Sequence, residues 1–198
     1  MGGISVDKTV AKFISFLTLV PVVALFVINI LFQYDSSFFG EGYTWYAVSL
    51  LCLVIIPILA YPLKRVLPGY KEGGREEERK LAFITGVFGQ VFGFILSLLF
   101  NAPKGVRFLF TSYLVAGILL TVSNLKTPYR ASGHACGVAG PIAILVHVIG
   151  KKLLMGFLLM PLVFWARLKL KRHSIKELMF GTAVGVCATV IAIAAFRW

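Results

Sequence analysis

The stretch from Ile175 to Phe196, IKELMFGTAVGVCATVIAIAAF, decides the class of fold. After Glu177 it contains no charged residue before Arg197. A helix that crosses the hydrocarbon core of a bilayer needs about 20 mostly apolar residues, and this stretch meets that length. It therefore predicts a membrane-spanning helix.

The composition of the whole chain agrees with a membrane protein. Of its 198 residues, 59% are hydrophobic and only 14% are charged. Soluble domains are nearer to half apolar and a quarter charged. We therefore expect a polytopic membrane protein, with residues 1–198 forming one integral-membrane domain.

Further apolar runs precede the opening stretch. Hydropathy predicts seven helices, at residues 11–33, 44–63, 81–101, 106–124, 133–149, 153–169 and 175–196. The fifth and sixth are short, and Pro161 is expected to kink the sixth. Six full spans with one partial helix is the competing count. The predicted fold is thus an all-α bundle of six to seven transmembrane helices.

The basic residues predict the orientation in the membrane. The net charge is +12, but Lys and Arg occur in short segments between apolar runs, which disfavours a nucleic-acid interface. With seven helices, all but five of the 20 Lys and Arg residues fall on one face; the five are Lys104, Arg107, Lys151, Lys152 and Arg197. The positive-inside rule places the richer face in the cytoplasm.

Two connections on that face carry unusual chemistry. The first is KTPYRASGH, in which Lys126 and Arg130 precede Ser132, Gly133 and His134 at the start of a helix. A helix N-terminus offers unpaired N–H groups and partial positive charge, so it favours anions. We expect Ser132 to be the N-cap. The segment predicts a phosphate cradle, and the alternative is an ordinary membrane-edge turn.

The second connection is RLKLKRHSIKE, from Arg167 to Glu177. His173 and Glu177 are spaced i, i+4, so they share a helix face, and the carboxylate can orient the imidazole. Glu177 is the only acidic residue after Lys80, and acids within membrane helices are costly and usually functional. The alternative is a capping acid beside a flanking histidine. We assign Lys169, Lys171, Arg172 and Lys176 to a basic flank.

The remaining candidates receive structural interpretations. His147 lies in the apolar run AILVHVIG and is expected to be a satisfied interior histidine. Cys52, Cys136 and Cys187 have no metal-ligand spacing and are expected to be buried free thiols. The segments GQVFG and GTAVG have the small-xxx-small spacing that permits close contact between helices.

The two connections resemble signatures of the type 2 phosphatidic acid phosphatase superfamily. Residues 131–134, ASGH, resemble its Pro-Ser-Gly-His motif, and Arg167-x5-His173-x3-Glu177 resembles Ser-Arg-x5-His-x3-Asp. Ala131, Ala166 and Glu177 replace the family residues Pro, Ser and Asp. The first family signature, Lys-x6-Arg-Pro, is absent, and its nearest form is Lys126-x3-Arg130. The resemblance covers residues 120–190.

The resemblance implies a lipid phosphatase that acts through a phosphohistidine. His173 would be the nucleophile, Glu177 would orient it, and His134 would be the general acid and base. The phosphate would be held by the following residues: Lys126, Arg130, Ser132, Gly133 and Arg167. The implied substrate is a lipid phosphate or a polyprenyl diphosphate in the bilayer.

No metal or other cofactor is expected. Membrane enzymes that process lipid diphosphates with Mg²⁺ need clustered carboxylates, and this sequence has a single acid in its C-terminal half. Two alternatives remain: a transporter or scaffold with a basic anion-binding face, and an inactive member of the family.

Overall fold

The computed structural model describes residues 6–126 and 130–197. They contain eight α-helices and no strand. The helices are α1 Val6–Leu17, α2 Val20–Tyr34, α3 Thr44–Val66, α4 Arg75–Leu99, α5 Lys104–Lys126, α6 Gly133–Ile149, α7 Met160–Lys169 and α8 Ile175–Phe196. Two 3₁₀ segments, Ser36–Phe39 and Lys151–Leu159, and a π-helical turn within α3 complete the helical structure. The all-α prediction is confirmed.

Four of these helices are long and apolar enough to cross a bilayer. They are α3, α4, α5 and α8, and the bent pair α1–α2 makes a fifth if it counts as one span. Such helices mark the chain as a membrane protein. The predicted number of six to seven full spans is therefore too high for the described residues. The fifth predicted run, α6, has only 17 residues.

The first predicted span, 11–33, is not one helix. It is divided between α1 and α2, which meet at a bend of 54°. Pro21 explains the break, because its ring would clash with the carbonyl of Leu17 and it has no N–H to donate. Leu17 is the last residue of α1.

The sixth predicted helix, 153–169, is also divided. Lys151–Leu159 is 3₁₀ helix, and α7 begins at Met160 with Pro161 in its first turn. Proline is tolerated there because the first-turn N–H groups have no partner within the helix. Gly150, with φ +128°, separates this segment from α6. The third predicted helix, 81–101, begins earlier than predicted, because α4 starts at Arg75.

The described residues group into two compact units. The first comprises the chain up to Val23 and from Val115 onward, and the second is Ala24–Leu114. In the second unit, GQVFG brings α4 close to its neighbours, because a side chain at Gly89 would overlap the carbonyl of Cys52 and one at Gly93 would overlap Phe110. The prediction of a single domain stays a prediction.

The first unit is built around the pair α6–α8. A Cβ at Gly185 would lie 2.6 Å from the carbonyl oxygen of Cys136, and one at Gly140 would lie 3.1 Å from the oxygen of Gly185. Thr189 donates a hydrogen bond of 3.2 Å to the carbonyl of Gly140. The close contact predicted for GTAVG is present, and it fixes the start of α6 beside the start of α8.

The apolar core of the first unit extends from this helix pair to α7. Its buried members are Ala135, Val138, Ala139, Ile142, Met160, Val163 and Leu178. All three cysteines are free, and Cys52 and Cys136 are buried as predicted. Cys187 is exposed on α8, so the prediction of a buried thiol is wrong there. A membrane helix directs part of its surface to lipid, which accounts for the difference.

Candidate phosphate site

The start of α6 is fixed by Ser132. Its side chain caps the helix by accepting from the amide of Ala135 at 3.5 Å, as the sequence predicts. Its own amide donates to the carbonyl oxygen of Glu177 at 3.0 Å. That bond ties the first basic connection to the second. Gly133 follows as the first residue of α6, where nothing would contact an added Cβ within 4 Å.

The end of α7 forms a tight reversal. The amide of Arg172 donates to the carbonyl of Arg167 at 3.0 Å, and the amide of Lys171 donates to that of Leu168 at 2.9 Å. Lys171 adopts φ +51°. These two bonds and the left-handed residue define a Schellman motif. The motif turns the chain back so that Arg167 and Arg172 lie on the same side of the turn.

A capping box starts α8 immediately after that turn. The Glu177 amide donates to Ser174 Oγ at 3.4 Å, and Glu177 Oε2 accepts from the Ser174 amide at 2.7 Å. This reciprocal arrangement satisfies two N–H groups at the helix start. Glu177 therefore acts as a capping acid, which was the alternative interpretation of this residue.

The same carboxylate oxygen also reaches His173. Glu177 Oε2 lies 3.4 Å from His173 Nδ1, in a pair whose side chains are 21% and 6% exposed. This distance exceeds that of an ordinary N–H···O bond, so the capping contact is the stronger of the two. A carboxylate beside Nδ1 nevertheless favours the tautomer that carries its proton there, which leaves the lone pair on Nε2.

Three side chains of the predicted site region converge on one oxygen atom of α1. Ser15 Oγ accepts from Nη1 of Arg167 at 2.8 Å and from Nη1 of Arg172 at 3.2 Å. It also lies 3.5 Å from Nε2 of His134. Arg167 is 4% exposed and Ser15 is equally buried. Two guanidinium groups at one buried oxygen form an anion-binding arrangement.

His134 is held by the backbone of the same residue. Its Nε2 lies 3.2 Å from the carbonyl oxygen of Ser15. A carbonyl oxygen only accepts, so this contact requires a proton on Nε2. Burial and then the charge of Arg167 lower the pKa of His134, and His173 and Arg172 have smaller effects in the same direction; effects of this kind require that the two histidines and two arginines lie near one another.

Lys126 and Arg130 are the remaining residues that the sequence predicts to bind phosphate. Both are exposed, and none of the hydrogen bonds or ion pairs identified between described residues links either of them to His134, Arg167 or His173. Residues 127–129, which join them, lie outside the described part of the chain. Their predicted role in phosphate binding stays a prediction.

Sequence reasoning missed Ser15 and assigned Arg172 to the flank. A signal for α1 was present, because Asp7, Ala11 and Ser15 recur at intervals of four and so occupy one helix face. Asp7 pairs with Lys169 at 2.8 Å, and Ala11 is buried. Arg172 carried no such signal, because only the Schellman turn directs it toward Arg167.

The other candidates lie outside this group. His147 is in the last turn of α6 and is half-buried. Within the described residues, no three His, Cys, Asp or Glu side chains are grouped so that they could hold a metal ion.

The arrangement offers chemistry suited to a tetrahedral oxyanion: two guanidinium groups, a helix N-terminus, a histidine with a proton on Nε2, and a second histidine backed by a carboxylate.

In comparisons with known proteins, no family model, no curated protein and no solved structure matches the chain.

Proposed function

We propose that this membrane protein is a lipid phosphatase of the type 2 phosphatidic acid phosphatase kind, acting on a lipid phosphate or polyprenyl diphosphate. The observation that carries the proposal is the convergence of Arg167, Arg172 and His134 on one buried oxygen. His173 and Glu177 lie within the same group. The capping role of Glu177 is compatible with this function, since one carboxylate oxygen serves both contacts.

In the first step, Nε2 of His173 attacks phosphorus. A P–N bond forms, the bond from phosphorus to the lipid oxygen breaks, and His134, in its doubly protonated form, gives its Nε2 proton to the departing oxygen and becomes neutral. Burial and the charge of Arg167 lower the pKa of His134 to about 3, and the negative charge of the bound phosphate group raises that pKa again, so that the imidazole holds its second proton. For a diphosphate, the departing oxygen belongs to the lipid monophosphate. Glu177 stabilises the positive charge that develops on the His173 ring.

In the second step, water replaces His173. The Nε2 atom of His134 takes a proton from water, whose oxygen attacks phosphorus, and the P–N bond breaks. Inorganic phosphate leaves and both histidines return to their initial protonation. Arg167, Arg172 and the N–H groups that begin α6 stabilise the phosphoryl oxygens in both steps.

The site is proposed to face the cytoplasm. The segments containing Ser15, His134 and Arg172 meet in one group, and they belong to the face that is rich in Lys and Arg. In the cell, that orientation would give the site access to newly made lipid phosphates in the cytoplasmic leaflet. A membrane-impermeant thiol reagent should label Lys126→Cys from the cytoplasmic side and Lys104→Cys, at the other end of the span α5, from the opposite side; the reverse pattern would contradict the orientation.

The function is tested with purified protein, a panel of lipid phosphates and excess EDTA. We expect phosphate release by the wild type and near-complete loss in His173→Ala. His147→Ala is the matched control, because it removes a histidine outside the group and should keep activity. An acid-labile phosphoprotein should form in the wild type but not in His173→Ala.

Two results would reject the proposal. One is phosphate release that persists in His173→Ala, and the other is release that requires added Mg²⁺. Anion binding by the wild type without any turnover would favour the transporter, scaffold or inactive alternatives.

A further inference from the structure

Ser15 occupies the centre of the proposed phosphate site. Its hydroxyl oxygen contacts Arg167, Arg172 and His134, and its carbonyl oxygen accepts the Nε2–H bond of His134. The Nη1–H groups that donate to Ser15 Oγ are occupied at that position, so a phosphoryl oxygen can take the same place only if Ser15 leaves it. A neutral hydroxyl is also a weaker partner for two guanidinium groups than a phosphate oxygen.

The helix that carries Ser15 is amphipathic. One face presents Asp7, Ala11 and Ser15 to α7 and the site. Ile14 is half-buried, and five large apolar side chains are exposed: Val6, Val10, Phe13, Phe16 and Leu17. In a membrane protein, a helix of this kind lies in the interface with its apolar residues among the lipids.

The two ends of α1 are held weakly. Its start is joined to α7 by one exposed ion pair, and its end is not continuous with α2. At its start, Asp7 and Lys169 form an ion pair of 2.8 Å whose side chains are 61% and 37% exposed. Exposed pairs of this kind contribute little. At its end, the helix stops at Leu17; two residues separate it from Val20, where α2 begins, and the two helices meet at a bend of 54°. Between its ends α1 is held by the buried residues Ala11 and Ser15, so its displacement requires the loss of those contacts and would turn the helix about residues 18 and 19.

We propose that α1 is a displaceable lid, in which Ser15 holds the place of a substrate phosphoryl oxygen until the substrate arrives. The proposal rests on the proposed function for the identity of the ligand, a tetrahedral phosphate group. Because the exposed side of α1 faces lipid, displacement opens the site toward the bilayer interface. A phosphate group carried on a lipid lies at that depth, so the lid favours membrane-held substrates.

The lid makes a quantitative prediction for ligand affinity. If the open form is a minor fraction, the apparent Kd exceeds the intrinsic Kd by the inverse of that fraction. Ser15→Ala removes the hydroxyl that competes with the ligand, so it should tighten the binding of orthovanadate. We expect a gain of about tenfold, equivalent to about 1.4 kcal/mol, the low end for a hydrogen bond to a charged group.

The experiment is an equilibrium titration of purified protein with orthovanadate. Asp7→Asn, remote from the converging side chains, should tighten binding by at most about fivefold, as expected for an exposed ion pair. Thr9→Ala is the matched control, since Thr9 is an exposed hydroxyl residue of the same helix and its loss should change nothing. Unchanged or weaker binding in Ser15→Ala overturns the lid, and weaker binding would identify Ser15 as a ligand of the substrate instead.

Two further titrations distinguish free phosphate from a lipid headgroup as the ligand. They also distinguish a failure of the lid from a failure of the proposed phosphatase. The titration is repeated with inorganic phosphate and with phosphatidic acid in nanodiscs, and the preference for membrane-held substrates requires a larger gain in Ser15→Ala for the lipid. Equal gains would leave α1 a lid but reject the preference for membrane-held substrates. Tighter vanadate binding in Ser15→Ala without turnover by the wild type would keep the lid and reject the phosphatase. Turnover by the wild type without tighter binding in Ser15→Ala would keep the phosphatase and reject the lid. If no variant binds any of the three ligands, both proposals are rejected.

Discussion

The hydroxyl oxygen of Ser15 lies 2.8 Å from Nη1 of Arg167, although 152 positions separate the two residues in the chain. The contact joins α1 to the end of α7, and both side chains are buried. Arg172 shares the same oxygen because the Schellman turn brings it back beside Arg167. A buried oxygen with two guanidinium donors is the feature from which the site is defined.

Arg172 should be more important for activity than Arg130. In Arg172→Gln one of the two guanidinium groups at the phosphate position is lost, and kcat for lipid phosphate should fall by about 10²–10³, as for other donors to a developing oxyanion. Arg130→Gln removes an exposed cation and should reduce kcat by less. Steady-state kinetics on both variants checks this. The reverse order would restore the role that the sequence predicts for Arg130.

Substitutions at Glu177 and Ser174 should distinguish the two roles of Glu177, which are to cap α8 and to orient His173. Glu177→Gln keeps an acceptor for the capping box but removes the charge beside His173, so stability should hold while kcat falls. Ser174→Ala removes the cap and should cost about 0.5–2 kcal/mol of stability, with activity retained in the folded fraction. Thermal unfolding and kcat are measured for both. Full activity in Glu177→Gln would mean that Glu177 only caps α8.

Lys171→Gly should stabilise the protein. Lys171 has φ +51°, and the left-handed conformation costs a residue with a Cβ roughly 1–2 kcal/mol. Glycine avoids that cost, offset in part by its greater freedom in the unfolded chain. The apparent Tm should rise, whereas Lys12→Gly, which removes the same charge from within α1, should lower it. A fall in Tm for Lys171→Gly would contradict the Schellman turn.

Gly181→Ala should disturb the site from outside it. An added Cβ would overlap the carbonyl oxygen of Ser132 and lie 2.8 Å from its nitrogen, which forces α6 and α8 apart. The expected loss is about 1–3 kcal/mol, with reduced kcat because Ser132 and Glu177 separate. Gly86→Ala is the control, since nothing lies within 4 Å there and alanine favours helix by about 0.5–1 kcal/mol. Equal effects of the two variants on Tm would contradict the close packing at Gly181.

Hydropathy predicted the location of most helices because it depends on local composition. Residues 133–149 and 175–196 have the predicted bounds, and Ser132 is the predicted cap. The two failures, at 11–33 and 153–169, both lie at prolines whose effect depends on backbone geometry around them. Pro21 ends a helix four residues upstream, while Pro161 begins one.

By itself, the sequence determined that the chain is a helical membrane protein with two basic connections of unusual chemistry. The spacing of His173 and Glu177, the capping motifs and the glycine pairs are local, so they can be found without coordinates. Only the tertiary structure decided that Ser15 and Arg172 join the group. Their contacts depend on a left-handed turn and on a helix more than 100 positions away, and no local pattern encodes the distance between segments that far apart.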